Sequence, residues 1–166
     1  MSLLDVVTYP DPRLTQKAIA VAQFDDELRA FVRDLEATMR GGPPSVGIAA
    51  PQVGRSLRIA IVDVSVKPNI AHHGRLVLIN PEILHAEGSV VGREGCLSVP
   101  DYTGNVMRAG RVEVTALDEY GSEMIYAFEG FEARAVQHEI DHLNGLLFLD
   151  RLVSRRNDLF RRKVYK

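Results

Sequence analysis

The chain has 166 residues, a length that suits one domain with a core large enough to need no covalent staples. Its hydrophobic content of 46%, charged content of 25% and net charge of -2 exclude a disordered, fibrous or strongly polyionic protein, and its single cysteine, Cys96, excludes an intrachain disulfide framework. The N-terminal stretch MSLLDVVTYPDPRL has no basic leader and Asp5 breaks its only apolar run. No window approaches a membrane span, so a reduced cytoplasmic setting without a signal peptide or membrane contact is expected. The first predicted element is a helix in FDDELRAFVRDLEATMRGG. Leu28, Phe31, Val32, Leu35 and Met39 recur at helical spacing, with Asp25 or Asp26 as cap and Gly41 as stop. GGPP at 41–44 is a breaker loop, and Pro51 makes SVGIAAPQVG an unlikely central strand.

SLRIAIVDVS and RLVLINPEIL read as strands rich in β-branched residues. RVEVTALDEYGSEMIYAFEGF reads as a hairpin: Val112, Val114 and Ala116 alternate with polar residues, DEYG turns, and Met124, Tyr126 and Phe128 alternate on the return. EARAVQHEIDHLNG is a helix, with Ala133, Val136, Ile140 and Leu143 at helical spacing and Gly145 as its stop. A short tail helix is predicted over roughly 154–165. Strands gathered between terminal helices indicate an α+β fold. Mainly antiparallel β-sheets would surround a central helix in the C-terminal half, with an N-terminal helix and a short C-terminal helix.

The most chemically loaded stretch is QHEIDHLNG. His138 and His142, four apart on a helix, share a face and can hold one metal ion, with Glu139 beside them as base. The bland alternative is polar helix surface. A catalytic site of this type takes three protein ligands, so a third is needed. Where one metallopeptidase pattern continues to a third histidine, this chain has Phe148, which cannot ligate. A later glutamate is excluded because none follows His142, and the remaining acids, Asp150 and Asp158, are poorly placed. His72, His73 and His85 lie in or near connections, where histidines are ordinarily solvated. Cys96, in REGCLSVP, could be a plain buried thiol. Beside a His-Glu-x-x-His pattern that lacks a partner, it becomes the preferred third ligand. A Cys, His, His set would accept Fe(II), Zn(II), Ni(II) or Co(II) and leave a position for water.

Taken together and in this order, GIAAPQVG (47–54), EGCLS (94–98) and QHEIDHLNG (137–145) resemble the peptide deformylases, over about Tyr9 to Lys163. The resemblance implies one catalytic domain over 1–166. That domain would remove the N-formyl group from the formyl-methionine of nascent polypeptides by attack of metal-bound hydroxide and release formate. It implies Cys96, His138 and His142 as metal ligands, generally of Fe(II), and Glu139 as general acid/base. Gln52 and the Leu97 N–H would donate to the formyl oxygen, Gly47 would let the substrate backbone approach, and Glu94 with Arg108 would hold the cysteine loop. Val46, Ile48 and Val136 are expected to line the methionine pocket.

Two departures are visible: Ser45 replaces the first glycine of the first block, and Thr103 stands where many bacterial members have arginine. The tail from Arg151 carries seven basic residues and one acid, a balance of +6 that leaves -8 on the first 150 residues of a chain totalling -2. That composition suits either a solvated helix or ribosome docking against RNA, with no direct DNA binding expected. Rival readings are a related metallo-amidase with another acyl preference and a non-catalytic ribosome-binding homologue.

Overall fold

The computed structural model describes residues 2–162. Helix α1 spans Asp26–Gly41 and begins where the Asp25 side chain accepts the Leu28 N–H at 2.9 Å, one of the otherwise orphaned first-turn donors. Eight strands follow: β1 (Gly47–Ala49), β2 (Ile59–Val62), β3 (Leu76–Glu87), β4 (Val90–Cys96), β5 (Val99–Arg108), β6 (Arg111–Leu117), β7 (Glu123–Glu129) and β8 (Leu159–Arg161). Helix α2, Gly130–Leu143, lies between β7 and β8 in the chain. Every ladder between these strands is antiparallel. One sheet runs β1-β2-β3-β6-β7 and the other β4-β5-β8.

Strand periodicity explains how the helices cover the larger sheet. On β2 and β3, Val62, Leu76 and Leu78 pack with Val136 and Ile140 of α2, whereas Ile59, Ile61, Val77 and Ile79 pack with Phe31, Val32 and Leu35 of α1. Successive residues point to opposite faces, so these two strands are buried on both sides. Each fully buried Leu, Ile or Val contributes roughly 1.5–3 kcal/mol. Pro81 in β3 falls where the register with β6 slips between Ile79 and Glu82, a bulge in which its missing N–H is tolerated.

α2 ends in a Schellman motif that fixes the exit from QHEIDHLNG. The Leu146 N–H reaches Asp141 O at 2.9 Å and the Gly145 N–H reaches His142 O at 3.1 Å. Gly145 has φ 77°, which suits glycine, and an added Cβ would lie 2.7 Å from Thr15 O. Arg58 caps the same end, donating to Leu143 O at 2.8 Å and Asn144 Oδ1 at 3.0 Å.

Two expectations are corrected. The segment predicted as a tail helix is, over its described residues 154–162, a turn followed by β8, which pairs with β5 through Thr103↔Phe160. Residues 163–165 of that expectation lie outside the described residues. The β4–β5 hairpin, absent from the sequence reading, carries Cys96 at its tip, where the register shifts between Gly95 and Cys96. β1 is an edge strand, consistent with Pro51, which sits in the single 3-10 turn that follows it.

Candidate metal centre

Three elements meet at one point: the tip of the β4–β5 hairpin, the last turns of α2 and the turn after β1. Ligand atoms of Cys96, His138 and His142 all lie within 4.8 Å of one another. Cys96 Sγ is 3.3 Å from His142 Nε2. A sulfur and a nitrogen bound to one tetrahedral ion at about 2.3 and 2.0 Å would lie about 3.5 Å apart, so the spacing fits a shared cation. Two buried atoms have no partner among the described residues, Glu139 Oε1 and His142 Nδ1. Unpaired buried polar atoms are costly, and Glu139 Oε1 is one that an ion-bound water in the cleft would satisfy. His142 Nδ1 lies on the ring edge away from the Nε2 that faces the sulfur.

The surrounding hydrogen bonds orient these donors. His138 Nδ1 is 2.8 Å from Glu94 Oε1, which turns Nε2 toward the sulfur. The Arg108 fork grips both oxygens of Glu94 at 2.9 Å and also donates to Asp141 at 2.5 Å. Arg134 adds a bond to Glu94 at 2.7 Å, and Arg151 holds both Asp141 oxygens at 3.1 Å. Burial alone would raise the Glu94 carboxyl, but Arg108 and His138 outweigh it and hold it well below the usual carboxylate range. Burial and the neighbouring His138 together push His142 well below its ordinary value, which favours the neutral, ligating imidazole. Burial likewise opposes charge on His138, yet Glu139, Cys96 and Glu94 raise it well above the ordinary range. A cation entering the cluster displaces that proton.

Gln52 has one available orientation. Its Oε1 accepts the Ala49 N–H at 2.9 Å, so Nε2 must face Ser98 Oγ at 3.1 Å and Cys96 Sγ at 3.4 Å. The Ser98 N–H also reaches Sγ at 3.4 Å, so two donors converge on the sulfur. Burial pushes the Glu139 carboxyl up to about 7, against the favourable charge of His138, and a cation beside it would lower it again. Gly47 explains how this carboxylate fits: a Cβ there would sit 2.6 Å from Glu139 Oε2. Gly47→Ala is therefore expected to retain the metal but lose at least about tenfold in kcat, because misplacing one catalytic group by an ångström costs on that order or more. Metal analysis and turnover on one sample check this.

The centre opens into a cleft of about 680 Å³, lined by Val46, Gly47, Gln52, Leu97, Ala135 and Glu139 among others. The edges of β1 and β4 form two of its walls. A second hollow of about 650 Å³ around Gly110, Gly130 and Phe131 contains none of the three donors.

The comparisons with known proteins agree on one family. The profile of the polypeptide deformylases matches residues 3–158. The chain belongs to the polypeptide deformylase family. It is 45% identical to the peptide deformylase of Syntrophobacter fumaroxidans over 166 residues, 100% of this chain and 96% of that protein. The crystal structure of the Thermotoga maritima peptide deformylase is similar at TM-score 0.86 and 35% identity, covering 93% of this chain and all of that one. The peptide deformylase of Ehrlichia chaffeensis in complex with actinonin is similar at TM-score 0.87 and 39% identity, covering 94% and 92%.

Measured against this deformylase frame, the structure brings Cys96, His138, His142, Glu139, Gln52, Leu97, Gly47 and Val46 to one cleft, with Glu94 and Arg108 behind it. Two expected pocket residues are elsewhere. Ile48 and Val136 are fully buried in the core and do not line the cleft. Ile48 points away from its neighbour Gly47 across the strand. On α2 it is Ala135, at helical spacing from His138 and Glu139, that faces the cleft. The sequence reading missed Ser98, Arg134, Asp141 and Arg151. A signal existed for two of them: Arg134 and Asp141 lie four before and three after His138, on its face, and charge buried there must find partners. His73 bonds Glu132 at 2.6 Å, away from the centre.

Proposed function

We propose that residues 1–166 act as one catalytic domain that hydrolyses the N-formyl group of formyl-methionyl peptides, releasing formate and a free amino terminus. The convergence of Cys96, His138, His142, Glu139 and Gln52 on one cleft carries this reading. A divalent ion held by Cys96, His138 and His142, with Fe(II) taken as native and Zn(II), Ni(II) or Co(II) suited to the same donors, supplies Lewis-acid activation of water at neutral pH. Glu139 then takes the proton of the attacking water and delivers it to the leaving amine. Gln52 Nε2, oriented because Gln52 Oε1 accepts the Ala49 N–H, and the Leu97 N–H stabilise charge on the formyl oxygen. Each such donor contributes about 2.7–4 kcal/mol to the transition state.

An extended peptide fits beside the free edges of β1 and β4, with the methionine side chain directed toward Val46 and Ala135. The Ser45 hydroxyl donates to Gly47 O at 2.8 Å, so it braces β1 where it lines the cleft. Actinonin, bound by the Ehrlichia chaffeensis relative, is expected to occupy this cleft as well. Formyl-Met-Ala-Ser and acetyl-Met-Ala-Ser separate the readings. Formate release with no detectable acetate is expected, whereas comparable rates on both peptides would make the protein an amidase of broader acyl preference.

A cytoplasmic setting suits the free thiol Cys96, and no helix among the described residues is long and apolar enough to cross a membrane. The exposed residues Arg155, Arg156 and Arg161 supply positive charge that ribosomal RNA would attract. Reversing these three charges is expected to abolish co-sedimentation with ribosomes at low salt. Unchanged co-sedimentation would end that part of the proposal.

A further inference from the structure

The outer face of the β4-β5-β8 sheet ends at the rim of the cleft, and two arginines converge there. Arg93 and Gly95 on β4 alternate with the inward-facing Glu94 and Cys96. Thr103 pairs with Gly95 on one side and Phe160 on the other. Arg93 lies over the Phe160 ring at 4.0 Å and donates to Thr103 Oγ1 at 3.2 Å and Asn105 Oδ1 at 3.1 Å, so its guanidinium is fixed in place. Arg162, delivered by β8 and anchored through its N–H to Asp101 O at 2.7 Å, lays its guanidinium over Gly95. A Cβ at Gly95 would meet Arg162 Nη2.

Both arginines line the cleft, as does Lys67, whose ammonium sits 5.1 Å from the Phe131 ring centroid. Among the described residues no acid forms an ion pair with Arg93, Arg162 or Lys67. The acids within the cleft are otherwise engaged: Glu94 is gripped by two arginines, and Glu139 lies at the metal centre. A peptide whose formyl end reaches Cys96 lies in the cleft that Arg93, Gly95 and Arg162 line, so this rim is one wall of its path. That wall is cationic, and the residues after methionine are within reach of it.

We propose that Arg162 and Arg93 are specificity-determining residues that select substrates with acidic side chains two and three positions after the formylated methionine. The inference rests on the deformylase reading. It assigns a function to the C-terminal strand: β8 brings Arg162 back to the cleft from a segment remote in sequence. Exposed charge pairs of this kind contribute modestly and weaken with salt.

Binding of labelled formyl-Met-Ala-Asp-Asp and formyl-Met-Ala-Lys-Lys tests this by fluorescence anisotropy. The metal-loaded protein would carry Glu139→Gln so that neither peptide is consumed. The acidic peptide is expected to bind at least about fivefold more tightly at low salt. Arg162→Ala with Arg93→Ala should bring the two affinities together, and Arg162→Lys should keep most of the preference. Arg162→Glu changes an exposed side chain with no bond among the described residues, so it tests the idea without disturbing the Phe160 stack, and it is expected to reverse the preference. Equal binding of the two peptides, or a preference that survives Arg162→Glu, overturns the proposal. Failure of the unsubstituted protein to release formate from either peptide would instead overturn the deformylase reading, while leaving the anisotropy result to stand or fall alone.

Discussion

Glu94→Ala is expected to be the most damaging single substitution outside the metal donors themselves. Glu94 is buried at 7% exposure, and it binds the Arg108 fork, Arg134 and His138 at once. Removing it strands two buried guanidinium groups. Breaking a buried ion pair from one side typically costs about 3–5 kcal/mol, on the order of 10 °C in melting temperature for a chain of this size. Arg108 keeps Asp141, which limits the loss, but Arg134 retains only the carbonyls of Val90 and Val106. His138 would also lose the acceptor that fixes its ring, and metal affinity should fall about 10–100-fold. Thermal melting and metal competition on the same variant check both effects. Glu94→Gln, which still accepts hydrogen bonds, should recover part of the stability and less of the metal affinity.

Glu139→Gln should behave in the opposite way. The substitution exchanges a buried carboxyl for a neutral amide of the same shape, so melting temperature is expected to match or exceed that of the unsubstituted protein. None of the three donors is touched, so the metal content should be unchanged. Turnover, however, loses its proton carrier, and kcat should fall by about 10²–10⁴. This separation of stability, metal content and turnover distinguishes a proton-transfer role from a structural one. A variant with full turnover would leave the buried, unpartnered Oε1 without its assigned purpose.

Much of this site was legible in the sequence because its chemistry uses scarce residue types. One cysteine and a His-Glu-x-x-His spacing leave few combinations, and Phe148 removes the main competitor. Phe148 in fact packs in the same apolar cluster as Cys96, beneath the hairpin tip. α1 and the β6–β7 hairpin were equally readable, α1 and β6 because each buries one face against the core. α2, by contrast, is buried on nearly every side and was read from the helical spacing of its apolar residues and its Gly145 stop. The β4–β5 hairpin was not readable, for a physical reason. Its inward positions include Glu94 and Arg108, buried because they pair with each other and with α2, so its buried face does not look apolar. The tail misled because a run of arginines suits helix propensity, whereas three residues of β8 are held by ladder bonds to β5 that only the tertiary fold supplies. Ile48 and Val136 misled because an apolar residue beside a site residue is as readily core as pocket, and only the alternation of faces decides between them.

The central claim is that the Cys96–His138–His142 cluster holds the ion on which deformylation depends. It is tested most directly by stripping the protein with a chelator under anaerobic conditions, restoring Fe(II) or Ni(II) in steps, and measuring formate release from formyl-Met-Ala-Ser beside metal content. Formate release should be lost on stripping, rise linearly to about one ion per chain and then level off, and Cys96→Ser should show neither tight binding nor recovery. Full formate release from stripped protein, or from Cys96→Ser without bound metal, would contradict it.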